Sequence, residues 1–305
     1  MIRTLLLALA LLGLPAMAAQ AQSPDMRQQQ ADGAEPEAVA AKMNAYVALM
    51  NRTLRASESI ERYRSWVDMD KGPVNKNRAF GVYELYDVTD LIADATDALG
   101  KEPKLAALDP SMKAYLEAYS RLAPIIDEAN SYYESKDYLD DNLARGREIH
   151  TRLVPAAKTF LAAREKVEKD FQAERARLAL MELAAIEAAE GRKANWHRVN
   201  LMLAARRIVD HIPDDGKPVI DMASFEENVA AYGDAYKEFV TYKKADPQAL
   251  RSMQGALQSF LAASRELREA IRPAKGDLRK AGGQELQRII NAYNALVGSA
   301  NNAVD

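Results

Sequence analysis

From about Ala38 onward, apolar residues recur at three- and four-residue spacing. Met43, Tyr46, Val47, Met50 and Leu54 share one helix face, and Tyr63, Trp66 and Val67 extend it. Lys71-Gly72-Pro73 predicts the stop, since Gly caps a helix and Pro cannot continue it. A second helix is predicted over Ala79–Leu99, ended by Gly100 and Pro103. A third opens at Asp109-Pro110, with Asp as N-cap and Pro at the first helical position. It carries Tyr115, Tyr119, Leu122, Ile126 and Tyr133, with a kink or split expected at Pro124. A fourth is predicted over Leu139–Glu190, bent at Pro155. Its roughly 52 residues would reach roughly 78 Å at a rise of 1.5 Å per residue. A rod of that length predicts an elongated bundle. Gly191 interrupts it, and a fifth helix is expected over Asn195–His211. The loop Pro213–Pro218 follows, then helices over Ser224–Lys244, Pro247–Ile271 and Gln284–Asn301. No stretch alternates as a strand would. The expected fold is all-α, an elongated bundle of about eight helices.

Short motifs recur in order. Ala114-Tyr115-Leu116-Glu117-Ala118-Tyr119 is echoed by Ala231-Tyr232-Gly233-Asp234-Ala235-Tyr236. Thr159-Phe160-Leu161-Ala162-Ala163 is echoed by Ser259-Phe260-Leu261-Ala262-Ala263. Gly72-Pro73-Val74 loosely matches Lys217-Pro218-Val219. The echoes predict two related helical halves, 37–190 and 191–305. Chance matching among Ala-rich amphipathic helices is the competing explanation.

Ahead of the helices, residues 1–21 have the form of a secretory signal peptide. Arg3 supplies the positive end and Leu5–Leu14 the apolar run. Ala16-Met17-Ala18 and Ala19-Gln20-Ala21 supply overlapping small-x-small cleavage sites. The run is shorter than the roughly 20 residues a membrane span needs. Residues 22–36, with Gln28-Gln29-Gln30 and two prolines, lack apolar periodicity and read as a disordered linker. The expected product is a soluble periplasmic protein. No Cys follows the leader to carry a lipid, and no later segment is apolar enough to span a bilayer.

Composition narrows the chemistry. The chain of 305 residues has no Cys, which excludes disulfides, thiolate nucleophiles, iron–sulfur clusters and Cys-ligated zinc. Its three His are His150, His197 and His211. His197 and His211 lie roughly 21 Å apart on one helix, so they cannot share a metal. The net charge of −3 argues against nucleic acid as a partner. There is no Gly-x-Ser-x-Gly, no Gly-x-Gly-x-x-Gly and no His-Glu-x-x-His, so no cofactor or resident metal is expected.

The least ordinary stretch runs from Tyr132 to Asn142. Tyr132, Tyr133, Lys136, Asp137, Tyr138, Asp140 and Asp141 crowd a helix junction, with Gly146 and His150 downstream. Tyr rings could stack on a sugar or peptide whose hydroxyls the carboxylates would bind. Three carboxylates could also serve Ca²⁺, although EF-hand spacing is absent. The simpler explanation makes Asp137 the N-cap of the fourth helix, with Asp140 and Asp141 in its first turn and an Asp141–Arg145 pair. Nine of the 13 Tyr fall between Tyr46 and Tyr138, forming either an aromatic-lined groove or a core whose hydroxyls reach the surface.

The combination Asn44-Ala45-Tyr46, Arg62-Tyr63-x-Ser65-Trp66-Val67-Asp68 with Gly72-Pro73, and Tyr132-Tyr133-x-x-Lys136-Asp137-Tyr138-x-Asp140-Asp141 with Gly146 and His150 resembles the YiiG-like family. These are uncharacterised bacterial envelope proteins classed as a domain of unknown function. The resemblance covers roughly residues 40–290. Many members look like lipoproteins, a pattern from which this Cys-free chain departs. The resemblance implies a helical envelope protein and no particular chemistry. The sequence therefore points to a non-enzymatic periplasmic binder of an envelope protein or small ligand, with Tyr132, Tyr133, Lys136, Asp137, Tyr138, Asp140, Asp141 and His150 as candidate contacts. A hydrolase of envelope polymers using Asp137, Asp140 or Asp141 near His150, or a divalent-metal binder, are the alternatives.

Overall fold

Apolar spacing becomes helix along most of the chain. The computed structural model describes residues 24–212, 218–280 and 282–302. The leader at 1–21 and most of the loop Pro213–Pro218 lie outside the described residues. Within them the chain forms an all-α helical bundle: α1 Pro24–Arg52, α2 Leu54–Arg64, α3 Thr89–Gly100, α4 Leu108–Glu134, α5 Ala144–Glu190, α6 Ala194–Asp210, α7 Met222–Tyr242, α8 Gln254–Ile271 and α9 Gly283–Asn301. Two isolated bridges, Asp68–Gly72 and Val219–Asp277, are the extent of β pairing among the described residues. Helical backbone begins at Pro24, inside the stretch the sequence marks as linker. Its Met, Arg, Gln, Ala and Glu are good helix formers even without an apolar stripe. The chain divides into two compact units within α5, between Arg175 and Ala176.

In the first unit, Met43, Tyr46 and Met50 of α1 are fully buried, as their spacing predicts, and Leu49 is buried with them. The helix does not continue unbroken to Trp66. Thr53 interrupts it, its hydroxyl bonding back to Leu49 O at 2.7 Å and paired with the buried Tyr115 hydroxyl. Arg164 of α5 caps the freed Met50 carbonyl at 3.0 Å. This side-chain satisfaction of orphan carbonyls lets α2 set off separately. α4 runs unbroken through Pro124 and α5 through Pro155. Asp109 does not cap α4, which starts one residue earlier. Its carboxylate instead turns to α1, accepting Lys42 Nζ at 2.7 Å and the Tyr46 hydroxyl at 2.8 Å.

The second predicted helix starts late. Residues 79–88 are non-helical, and α3 begins at Thr89. The segment is held by side chains of other elements. Phe80 O accepts from Arg62, Gly81 O from Trp66, Val82 O from Asn130, Tyr83 O from Ser59 and Glu84 O from Arg55, all within 3.3 Å. Arg55 stacks on the Tyr83 ring at 4.0 Å and Arg52 on Tyr86 at 3.9 Å, adding cation–π attraction. Five consecutive carbonyls are thereby satisfied without a helix or a sheet.

The second unit packs α6 on α7, α7 on α8 and α8 on α9. Leu201, Phe225, Tyr232, Phe239, Phe260, Leu267 and Ile289 fill its core. Asp221 caps α7 by accepting Ser224 N–H at 3.0 Å. Pro247 to Met253 form turns, so α8 starts at Gln254, later than the periodicity suggests. Residues of two of the recurrent motifs form ring pairs in each unit. Tyr115 packs on Phe160 at 5.4 Å in the first unit, and Tyr232 packs on Phe260 at 5.1 Å in the second.

His197 opens a pH prediction. It is 2% exposed, lies 4.7 Å from the Tyr242 ring, and its Nδ1 has no hydrogen-bond partner. Burial lowers its pKa, and the Arg192 charge adds to this against the opposing pull of Glu238. A folded-state pKa below the unfolded value of about 6.5 gives stability that is present above that value and lost as pH falls through it. The melting temperature should therefore drop between about pH 7 and pH 5, and His197→Phe should flatten that segment of the profile. An unchanged slope in the variant would show that other groups set it.

Candidate functional site

The Tyr/Asp junction is built where three elements of the first unit end together. α4 closes on Tyr132 and Tyr133, and Lys136 takes a left-handed conformation (φ 60°) that turns the chain into a 3-10 turn at Asp137–Leu139. Tyr138 is thereby folded back to 6.4 Å from the Tyr132 ring and 6.1 Å from Tyr133. Two further left-handed residues, Asn142 and Leu143, delay α5 to Ala144. From the far side, the last turn of α2 brings Tyr63, and the turn just after it brings Trp66. Trp66 meets Tyr133 edge-on at 5.2 Å, and Tyr63 meets Trp66 at 5.4 Å.

Glycines make room for this packing. A Cβ at Gly146 would lie 3.0 Å from the Tyr133 hydroxyl and 3.1 Å from the Tyr132 ring. Gly72, at φ 79°, brings its backbone against the His150 ring, where a Cβ would be 3.2 Å away. Both Gly146 and His150 lie on the first turns of α5, so the helix is keyed into the aromatic cluster along one face.

The polar tips are largely engaged. The Tyr132 hydroxyl donates to Asp141 Oδ1 at 2.8 Å. Asp141 Oδ2 accepts Arg145 N–H at 2.8 Å, so Asp141, not Asp137, caps α5. Arg145 sends its guanidinium to Glu128 at 3.3 Å instead of to Asp141. Desolvation pushes the Asp141 carboxyl up. The donated bonds from Arg145, Tyr132, Leu143 and Ala144 outweigh it and hold the group below the usual carboxylate range. The Tyr63 hydroxyl lies 3.1 Å from His150 Nδ1. Tyr133 keeps a buried hydroxyl outside hydrogen-bonding geometry, and burial raises its pKa.

Of the eight candidate contacts, four are interior. Tyr132, Tyr133, Tyr138 and His150 are all less than a tenth exposed. Lys136, Asp137 and Asp140 are exposed, and Asp141 lies between. The tyrosine rings pack largely edge to face on one another, and none of the four side chains is left open to solvent. No group of three or more His, Asp or Glu among the described residues is placed to hold a metal ion. An open groove lies elsewhere, in the second unit, lined by Leu180, Leu183, Leu203, Arg207 and Glu238.

Sequence reasoning missed what pins the 79–88 segment. Arg55, Ser59, Arg62 and Trp66 share the α2 stripe and its continuation, at three- to four-residue spacing, and that regularity is the signal that could have found them.

Set against known proteins, residues 37–302 match the family described as "Protein of unknown function (DUF3829)". The Uncharacterized protein YiiG of Escherichia coli (strain K12) is 26% identical over 179 residues, which is 57% of this chain and 51% of that protein. The chain thus spans about half the length of this relative. No solved structure matches. The family match takes in the helices of both units and every residue of the aromatic junction, and on that footing the chain belongs to the DUF3829 family.

Proposed function

We propose that this chain is an exported, non-catalytic binding protein of the bacterial cell envelope. In this reading the Tyr/Asp junction is the rigid support of a contact surface. The observation that carries it is the mutual burial of Tyr132, Tyr133, Tyr138 and His150, which makes the most distinctive motif a packing centre. The motif's remaining members, Lys136, Asp137 and Asp140, stand at the surface around it. The leader pattern at 1–21 supports export, and no described helix is long and apolar enough to cross a membrane. An acid–base hydrolase at this junction would need a carboxylic acid held protonated near His150. Asp141 is biased toward the ionised form, with an oxygen on Tyr132 and an oxygen on the α5 backbone, and His150 faces Tyr63.

Two measurements test this. N-terminal sequencing of the chain from osmotic-shock fluid should start just after Ala18 or Ala21. A product retaining Met1 in the cytosol overturns export. The triple variant Lys136→Ala, Asp137→Ala, Asp140→Ala should melt within about 2 °C of the parent, as surface changes do. A fall of more than about 5 °C would mean these residues hold the junction together and do not decorate it.

A further inference from the structure

We infer that the loop from Lys71 to Phe80 is a docking surface for an anionic lipid bilayer. This rests on the binding reading above and names its partner. Val74 is 69% exposed and Phe80 56%, the two most exposed large hydrophobic residues described. Their exposure is imposed by a tied backbone. Gly72 N–H donates to Asp68 O at 2.8 Å, and the Asn75 side chain accepts Asn77 N–H at 3.0 Å, closing the 3-10 turn Lys76–Arg78. Phe80 O is held by Arg62 at 2.9 Å. The residues beside them are anchored inward: Pro73 approaches Gly146 beside the Tyr132 and Tyr133 rings, and Gly81 rests on the Tyr133 side chain. With Pro73 and Gly81 fixed on the aromatic cluster, Val74 and Phe80 are held out in solvent.

The charges of the loop fit one kind of partner. Between residues 71 and 80 stand Lys71, Lys76 and Arg78 and no acid. Lys71 lies 3.8 Å from Asp68 and is partly neutralised. Lys76 and Arg78 take part in no ion pair among the described residues. Apolar tips flanked by free cations match the boundary between acyl chains and anionic headgroups. A partner strand would need backbone groups to pair with. The carbonyls of residues 80–84 are already committed to side chains of α2, Trp66 and α4, so the stretch that continues from the loop is not open to a partner strand through them. Leu139, 53% exposed beside Tyr138, belongs to the same end of the unit but is flanked by Asp137 and Asp140, and we leave it out of the surface.

The test is cosedimentation of the full chain, without residues 1–21, with vesicles of phosphatidylglycerol and phosphatidylethanolamine, and separately with phosphatidylcholine vesicles. Binding to the anionic vesicles is expected, with weak binding to the neutral ones and a decline as salt rises. Val74→Asp with Phe80→Asp should weaken anionic binding at least about tenfold, and so should Lys76→Glu with Arg78→Glu. Leu139→Asp should change it less than about twofold. All these side chains are exposed, and melting curves verify that each variant is folded. Failure of the parent chain to sediment with anionic vesicles overturns the inference, as does full retention of binding in either double variant. Loss of binding in Leu139→Asp alone does the same. None of these outcomes alters the N-terminal sequencing result, so export and membrane docking fail separately.

Discussion

Tyr133→Ala is expected to destabilise the first unit by about 4 kcal/mol, the scale of emptying a buried aromatic site. The Tyr133 ring contacts Trp66, Tyr132 and Tyr138 at once, with Gly81 against its Cβ and Gly146 facing its hydroxyl, so a truncated side chain leaves a hole bordered by three elements that each depend on it. The same position carries an opposite expectation for a smaller change. Its hydroxyl is buried with the Tyr63 hydroxyl as a polar neighbour but outside hydrogen-bonding geometry, and a poorly satisfied polar group is a liability once out of water. Tyr133→Phe should therefore leave stability unchanged or raise it by up to about 1 kcal/mol. Urea unfolding read through Trp66 fluorescence, in a Trp196→Phe background, follows this unit. A loss of more than about 1 kcal/mol in Tyr133→Phe would show that the hydroxyl has a role, such as a ligand contact, that the packing alone does not require.

Lys42→Met is expected to cost about 3 kcal/mol, although it swaps one long side chain for another of similar length. Lys42 is 3% exposed and donates to Lys101 O at 3.0 Å, Pro103 O at 3.1 Å and Asp109 Oδ2 at 2.7 Å. Removing the cation strands a largely buried carboxylate and two carbonyls. Asp109 keeps the Tyr46 hydroxyl and Leu105 N–H, so the unit should still fold. The double variant Lys42→Met, Asp109→Asn should recover part of the loss, because the uncompensated charge has gone. Additive losses in the two single variants would show that the pair is not coupled.

These two sites show what the sequence makes legible. Met43, Tyr46 and Met50 announce a buried stripe through spacing alone, because a helix face is a local property. Lys42 lies beside the same stripe and reads as a surface residue, since nothing nearby in sequence reveals the carboxylate 67 residues away. The junction divides the same way. Its tyrosines and aspartates are visible as a cluster, and Gly72-Pro73 as a stop. Their meeting at Gly146 and His150 depends on three left-handed residues and on the arrival of α2, which are tertiary facts. The misplaced start of the second helix has the same origin. Residues 79–88 are compatible with a helix, and the donors on α2 and α4 override that local preference.

That segment has one further consequence. Its path is written in Arg55, Ser59, Arg62, Trp66 and Asn130, which grip main-chain atoms common to every amino acid. The outward position 84 can then be re-lettered with little penalty to the scaffold, while the five grippers cannot. Among relatives, variation at that position should leave the path of the segment unchanged.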